Sequence, residues 1–271
     1  MMHREITHQK ELVEQIEKSN QTLRETNQRL NQAQVTQRAF LAIVTHELKT
    51  PLHLMLGAVD TVMRKAPQSD SDLQEMLSIL SDSAVHLQGI IEDLLTLTRL
   101  QTGSLTLSPE SVDIVHEVRQ CLRLWQQNER RIEFHADEET IPIITADPLR
   151  LRQIFNNLLA NATAHCNQVV AVTVTCRQQF VVVRVTNDGE RVPEQFRENI
   201  FEPFFRGSER SGGGMGLGLA VARGLAESHH GTLALVDDIS RRLTTFELCL
   251  PFNNGTSVTH YEPEGEDGHV C

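Results

Sequence analysis

Residues 40–52 read FLAIVTHELKTPL. On a helix of about 3.6 residues per turn, Leu41, Val44, Leu48, Leu52, Met55 and Val59 recur at steps of three and four and form one apolar stripe. His46 falls off this stripe and is expected to face water, with Glu47 next around the helix and Thr50 one turn further along the same flank. Pro51 has no N–H to offer the Glu47 carbonyl, so a kink is expected beside the histidine. An isolated His-Glu pair would read as solvated surface. A histidine, a carboxylate and a hydroxyl gathered beside a helix distortion read as a reactive site.

On the N-terminal side, residues 4–38 contain neither Pro nor Gly, and Ile6, Val13, Asn20, Asn27 and Gln34 alternate with Gln9, Ile16, Leu23, Leu30 and Gln37 at heptad spacing. This predicts a coiled-coil signalling helix over 1–38, its Asn positions lowering stability while favouring an in-register parallel dimer. On the C-terminal side, the histidine helix should end near Ala66-Pro67. A second helix, opened by Ser71 and Gln74 as a capping box, should carry Leu73, Leu77, Leu80, Ala84, Leu87, Ile91 and Leu94 on one face until Gly103 closes it. Such a hairpin, 39–103, cannot bury its long apolar face alone, so two copies are expected to form a dimeric four-helix bundle with His46 outside.

Beyond Gly103 the periodicity changes. Strands are expected at 131–134, 169–176, 180–186, 232–236 and 244–250, and helices at about 112–126, 148–164 and 216–229. The fold class is therefore an α-helical hairpin followed by an α+β layer domain over 108–251, an α/β sandwich. The polar, acidic stretch 252–271 reads as a flexible linker.

The whole chain, 271 residues with a net charge of −11 from 36 acidic and 25 basic residues, lacks the basic surface that nonspecific nucleic-acid binding demands. Five cysteines, at 121, 166, 176, 249 and 271, show no CxxC spacing and suggest neither a disulfide framework nor a zinc site. Apolar runs such as 169–174 are far shorter than the roughly 18 residues that span a bilayer. Because the chain starts in mid-helix, it is expected to be the cytoplasmic region of an inner-membrane receptor.

Phosphate handling must then be local. Asp147-Pro148 should open a helix as cap and first residue, with Leu151, Ile154, Phe155, Leu158, Leu159 and Ala162 as its buried stripe. Asn157 and Asn161 stack one turn apart at the edge of that stripe. Further on, the glycines at 212, 213, 214, 216 and 218 would let backbone N–H groups approach an anion at the start of the following helix.

Taken together, these strings resemble the boxes of sensor histidine kinases. FLAIVTHELKTPL resembles the H-box, RQIFNNLLANA the N-box, Phe201-Glu202-Pro203-Phe204-Phe205 the F-box, and Gly212 to Leu219 the G2-box, in the family's order and over about residues 35–251. The resemblance implies a dimerisation and phosphoacceptor hairpin followed by a Bergerat-type ATP-binding domain. His46 would be phosphorylated, Glu47 would activate it, and Glu47 with Thr50 would position a water for dephosphorylation of a receiver aspartate. Asn161 would ligate Mg²⁺, with Asn157, Gly189, Phe204, Gly214, Gly216 and Gly218 around ATP. A DNA-repair or chaperone ATPase with the same nucleotide fold would lack the histidine hairpin.

One box departs from the family's pattern. Where Asp-x-Gly-x-Gly is usual, this chain reads Asn187-Asp188-Gly189-Glu190-Arg191. The resemblance implies that Asn187 replaces the carboxylate that accepts the adenine amino group, and that Arg191 fills the place of a glycine. Ala164 and His230 stand where a basic residue and a glycine are common. Autokinase activity is therefore expected to be weak, and the degenerate box resembles that of RetS-like orphan hybrid kinases. Expected partners are a second copy, a receiver domain, and another sensor kinase if the chain acts as its regulator.

Overall fold

The computed structural model describes Gln21 and residues 44–45, 47–62, 70–125, 131–138, 140–207, 215–238 and 243–252. The coiled coil expected over 1–38 (Gln21 apart), His46, the turn before residue 70, Gly212 to Gly214 and the linker from residue 253 lie outside the described residues.

Helix α1 covers 47–62 and runs through Pro51, and α2 is Asp70–Gln101. The second helix is formed from Asp70, and the side chain of Ser71, expected to cap it, lies outside what the structure describes. Its end is as expected. Gly103 adopts φ 63°, its N–H donates to the Leu100 carbonyl at 3.2 Å, and the Ser104 N–H reaches the Arg99 carbonyl at 2.9 Å, the paired bonds of a left-handed glycine cap. Within the single chain, Leu52 (48% exposed), Leu56, Val59, Leu77, Ile91 and Leu95 (53%) remain open to solvent.

The rest is a sandwich of helices on a mixed sheet. Strands β2 (Arg131–Ala136), β4 (Val169–Arg177), β5 (Phe180–Asn187), β6 (Thr232–Asp238) and β7 (Leu243–Pro251) lie in the order β2-β4-β5-β7-β6, with β2 and β4 parallel and the other neighbours antiparallel. Helices α3 (Ile114–Trp125), α4 (Pro148–His165) and α5 (Gly218–Ser228) pack with them. Two three-residue strands, β1 (Glu110–Val112) and β3 (Ile144–Ala146), pair apart from this sheet. They are an addition to the expected set: three residues hold too little alternation to register as a strand.

All six apolar positions expected on α4 are buried, and they meet Val170, Val172 and Val174 of β4, Val181, Val183 and Val185 of β5, and Val221, Ala222, Leu225 and Ala226 of α5 in one core. Burying each Val, Leu or Phe contributes about 1.5–3 kcal/mol. On the other face of the sheet, Arg184 Nε donates to Glu247 Oε2 at 2.6 Å across the β5–β7 register, and Glu247 is buried. Losing Arg184 there would strand the Glu247 carboxylate away from water.

The start of α4 is over-determined. Asp147 Oδ1 accepts from the N–H groups of Leu149 and Arg150, and its Oδ2 accepts from Ser108 N–H at 2.9 Å. Its own N–H donates to Nε2 of buried His229 at 3.1 Å, while His229 Nδ1 donates to the Leu225 carbonyl at 2.8 Å. One ring nitrogen accepting and the other donating defines a neutral imidazole of a single tautomer.

The hairpin docks on this sandwich through α2. A side chain at Gly224 would put its Cβ 2.7 Å from Leu100 Cδ1, so the bare position lets Leu100 of α2 pack directly on α5. Gln153 Nε2 donates to Asp93 Oδ1 at 3.1 Å and to Thr96 Oγ1 at 3.2 Å. Burial raises the Asp93 carboxyl above its ordinary value, and hydrogen bonds with Gln153 and Asn157 only partly oppose it.

Three tests follow from this architecture. The folded state holds the Asp93 proton more tightly than the unfolded chain, so the ionised carboxylate weakens folding as pH rises from the unfolded value through the raised folded one. Asp93→Asn keeps an acceptor for Gln153 and should melt higher than wild type near pH 7, the gap closing as pH falls below the ordinary carboxylate range; a gap independent of pH would contradict the burial of this charge. At the end of α5, His230 adopts φ 58°, a conformation that favours glycine, with its N–H on the Glu227 carbonyl and the Gly231 N–H on the Ala226 carbonyl. His230→Gly should stabilise by about 0.5–1 kcal/mol. Gly231→Ala, whose Cβ would lie 2.3 Å from the Cys249 carbonyl oxygen, should lower the melting temperature by several degrees.

Candidate active site

The residues singled out on the sandwich lie along α4, at the end of β5 and at the start of α5. Asn187 is the last residue of β5, paired with Val170 on one side and Thr244 on the other. It is 1% exposed, and among the described residues neither its Oδ1 nor its Nδ2 has a hydrogen-bond partner. An orphaned carboxamide in a core costs about 1–3 kcal/mol, so it marks a position shaped for something other than stability. Two residues on, Gly189 presses against the last turn of α4: a Cβ there would lie 1.7 Å from the His165 carbonyl oxygen and 3.0 Å from Asn187 Nδ2. Only glycine allows the loop to close beside the carboxamide.

Asp188, between them, serves the loop. Against a desolvation cost, N–H groups of Gln168, Val169, Asn167 and its own residue hold its carboxyl below the ordinary range. Asn167 N–H lies 2.8 Å from its Oδ1, and Gln168 N–H donates to both carboxylate oxygens at 3.1 Å. Arg191, following Glu190, is half-buried, and the Glu190 carbonyl accepts from Thr244 Oγ1 at 3.3 Å.

Phe204 and Gly216 lock together. Phe204 has φ 68°, its N–H donates to the Gly216 carbonyl at 2.9 Å, and Gly216 itself has φ 70° with room for no Cβ, which would sit 2.6 Å from the Phe205 carbonyl oxygen. Phe201 anchors this segment edge-on against core Phe246, with the Arg223 guanidinium 5.1 Å from its ring centre. Gly218 then opens α5, whose N-terminus, the positive end of the helix dipole, has no side-chain cap among the described residues.

Asn157 and Asn161 are both half-buried on α4. Asn157 Nδ2 donates to the Gly218 carbonyl at 3.1 Å, and the same side chain hydrogen-bonds Asp93. Asn157 therefore joins α4 to the start of α5 and to α2, and it holds the glycine segment in place.

On the hairpin, Thr50 is exposed and Glu47 is mostly buried, because Arg206 Nη1 reaches Glu47 Oε1 at 3.5 Å. The structure thus joins Asn157 to Gly218, sets Gly189 beside Asn187, locks Phe204 to Gly216 and pairs Glu47 of α1 with Arg206, while Asn161 stands one turn beyond Asn157, Arg191 follows the Gly189 loop and Thr50 lies exposed on α1. Arg206, Asp188, His229 and Asp93 were not picked out from the sequence. For Arg206 a signal was present, since a cation directly follows the Phe204-Phe205 pair, but its partner lies far away along the chain.

Residues 36–103 match the His Kinase A (phospho-acceptor) domain, and residues 146–254 match the histidine kinase-, DNA gyrase B-, and HSP90-like ATPase family. Sensor histidine kinase RcsC of Salmonella typhimurium is 26% identical over 262 residues, covering 94% of this chain and 27% of the relative. Circadian input-output histidine kinase CikA of Synechococcus elongatus is 30% identical over 223 residues, covering 78% and 29%. The chain thus spans little more than a quarter of either relative. The crystal structure of full-length ShkA, solved in complex with AMPPNP, superposes with a TM-score of 0.59 at 25% identity, covering 80% of this chain and 46% of that one. With the phosphoacceptor hairpin and the ATPase sandwich present in order, the chain belongs to the sensor histidine kinases and is a protein histidine kinase core.

Proposed function

We propose that this core uses ATP to phosphorylate His46 and exchanges the phosphoryl group with a receiver-domain aspartate, with slow autokinase chemistry. The observation that carries the reading is the Asn187 carboxamide, buried with both polar atoms unsatisfied beside the glycine loop. A bound base edge is what such a group lacks. Gly216, Gly218 and the uncapped start of α5 suit the phosphates, and Phe204 holds that segment in its left-handed turn. Mg²⁺, ligated through Asn161, would neutralise charge on the transferring phosphoryl group. Glu47 would orient the His46 imidazole and stabilise its protonated form.

Slowness follows from the same residue. A hydrogen bond to an amide oxygen contributes about 1 kcal/mol less than one to a carboxylate, a several-fold loss in affinity. Arg191 further occupies space at a position that suits a bare backbone. Both features favour a second role, in which the chain regulates a partner sensor kinase, or dephosphorylates a receiver through Glu47 and Thr50, neither of which needs a tight ATP site.

The division into a signalling helix (1–38), a phosphoacceptor hairpin (39–103), an ATP-binding domain (108–251) and a linker (252–271) belongs to this proposal. So does a homodimer, supported by the open apolar side chains of α1 and α2, and so does a place on the cytoplasmic side of a membrane receptor. Among the described residues no helix is long and apolar enough to cross a membrane.

Radiolabelled ATP tests the proposal. Wild type should label slowly, His46→Ala not at all, and Asn187→Asp several-fold faster than wild type at subsaturating ATP. Micromolar Mg-ATP binding with rapid labelling of the wild type would sink the idea of a weakened site, and labelling retained in His46→Ala would sink His46 as acceptor.

A further inference from the structure

A carboxylate and a carboxamide differ in what they can read. A carboxylate only accepts hydrogen bonds, so at the 6-position of a purine it selects an amino group and repels a keto oxygen. A carboxamide presents an acceptor and a donor side by side. It can pair its oxygen with the amino group and its N–H with ring N1 of adenine. Turned by half a revolution, it can pair its N–H with the keto oxygen and its oxygen with the N1 proton of hypoxanthine or guanine. Which of these a protein allows depends on whether its own groups fix the orientation of the amide.

At Asn187 they do not. Both Oδ1 and Nδ2 lack partners among the described residues, so no protein hydrogen bond is lost when the carboxamide turns over. Its backbone is held on both sides by the pairing of β5 with β4 and β7, so the group stays in place while its polarity is free. The absence of charge removes the repulsion that a carboxylate would exert on a keto oxygen. Resting on the nucleotide reading above, we propose that Asn187 makes this a dual-specificity site, accepting 6-keto purine nucleoside triphosphates as well as the 6-amino purine ATP.

Calorimetry on the full chain with Mg-ATP and Mg-ITP, for wild type and Asn187→Asp, tests this. ITP is the probe because it differs from ATP in the 6-substituent and N1 proton alone. Wild type should bind the two within about tenfold of each other, and Asn187→Asp should shift the ratio toward ATP by tenfold or more. Wild type binding ATP more than a hundredfold tighter than ITP would overturn the dual specificity and leave the ATP reading intact. An unchanged ratio in a folded Asn187→Asp protein would overturn Asn187 as the reader. Failure of both proteins to bind either nucleotide would overturn the nucleotide reading and this proposal with it. Should Asn187→Asp not fold, the wild-type ratio decides alone.

Discussion

The sandwich depends on burying one face of α4 against β4 and β5. That face supplies the largest fully buried side chains of the helix layer, among them Phe155, Ile154 and Leu158, and removing one of that size costs about 2–5 kcal/mol. Because the helix is fixed by this face, its adjacent edge is fixed as well. Asn157 and Asn161 stand on that edge, Gln153 meets α2 from it, and the last turn supplies the His165 carbonyl against which Gly189 closes. Packing energy in the core thereby becomes positional accuracy at the site.

Several carboxylates have structural employment: Asp147 caps α4 at the end away from the glycine segments, Asp188 gathers loop N–H groups beside Gly189, and Glu47 is paired with Arg206. The Arg206 contact also joins hairpin and sandwich, since it places the cation that follows Phe204-Phe205 on the carboxylate adjacent in sequence to His46.

Much of this could be read from the chain alone. The long strands of the sheet announced themselves by alternation, and α4 by its stripe, its Asp-Pro start and its length; these are local signals repeated often enough to stand out. Asn187 and Gly189 were legible because a motif with a known spacing carried them. The strands β1 and β3 were not, being too short to show a period. Nor were His229, Asp93 and Arg206, whose roles come from partners more than fifty positions away along the chain. Asn157 shows the limit of a motif from another side: the pattern marks the residue, while only the fold shows that it holds Gly218.

His229 joins the last turn of α5 to the first residue before α4. Asn157 makes the matching tie at the other end of α5, where its Nδ2 reaches the Gly218 carbonyl. The shorter helix is thus pinned to α4 at both ends, about 16 Å apart over the eleven residues of α5. Moving the glycine segment away from α4 breaks the Asn157 bond and leaves the His229 bond intact.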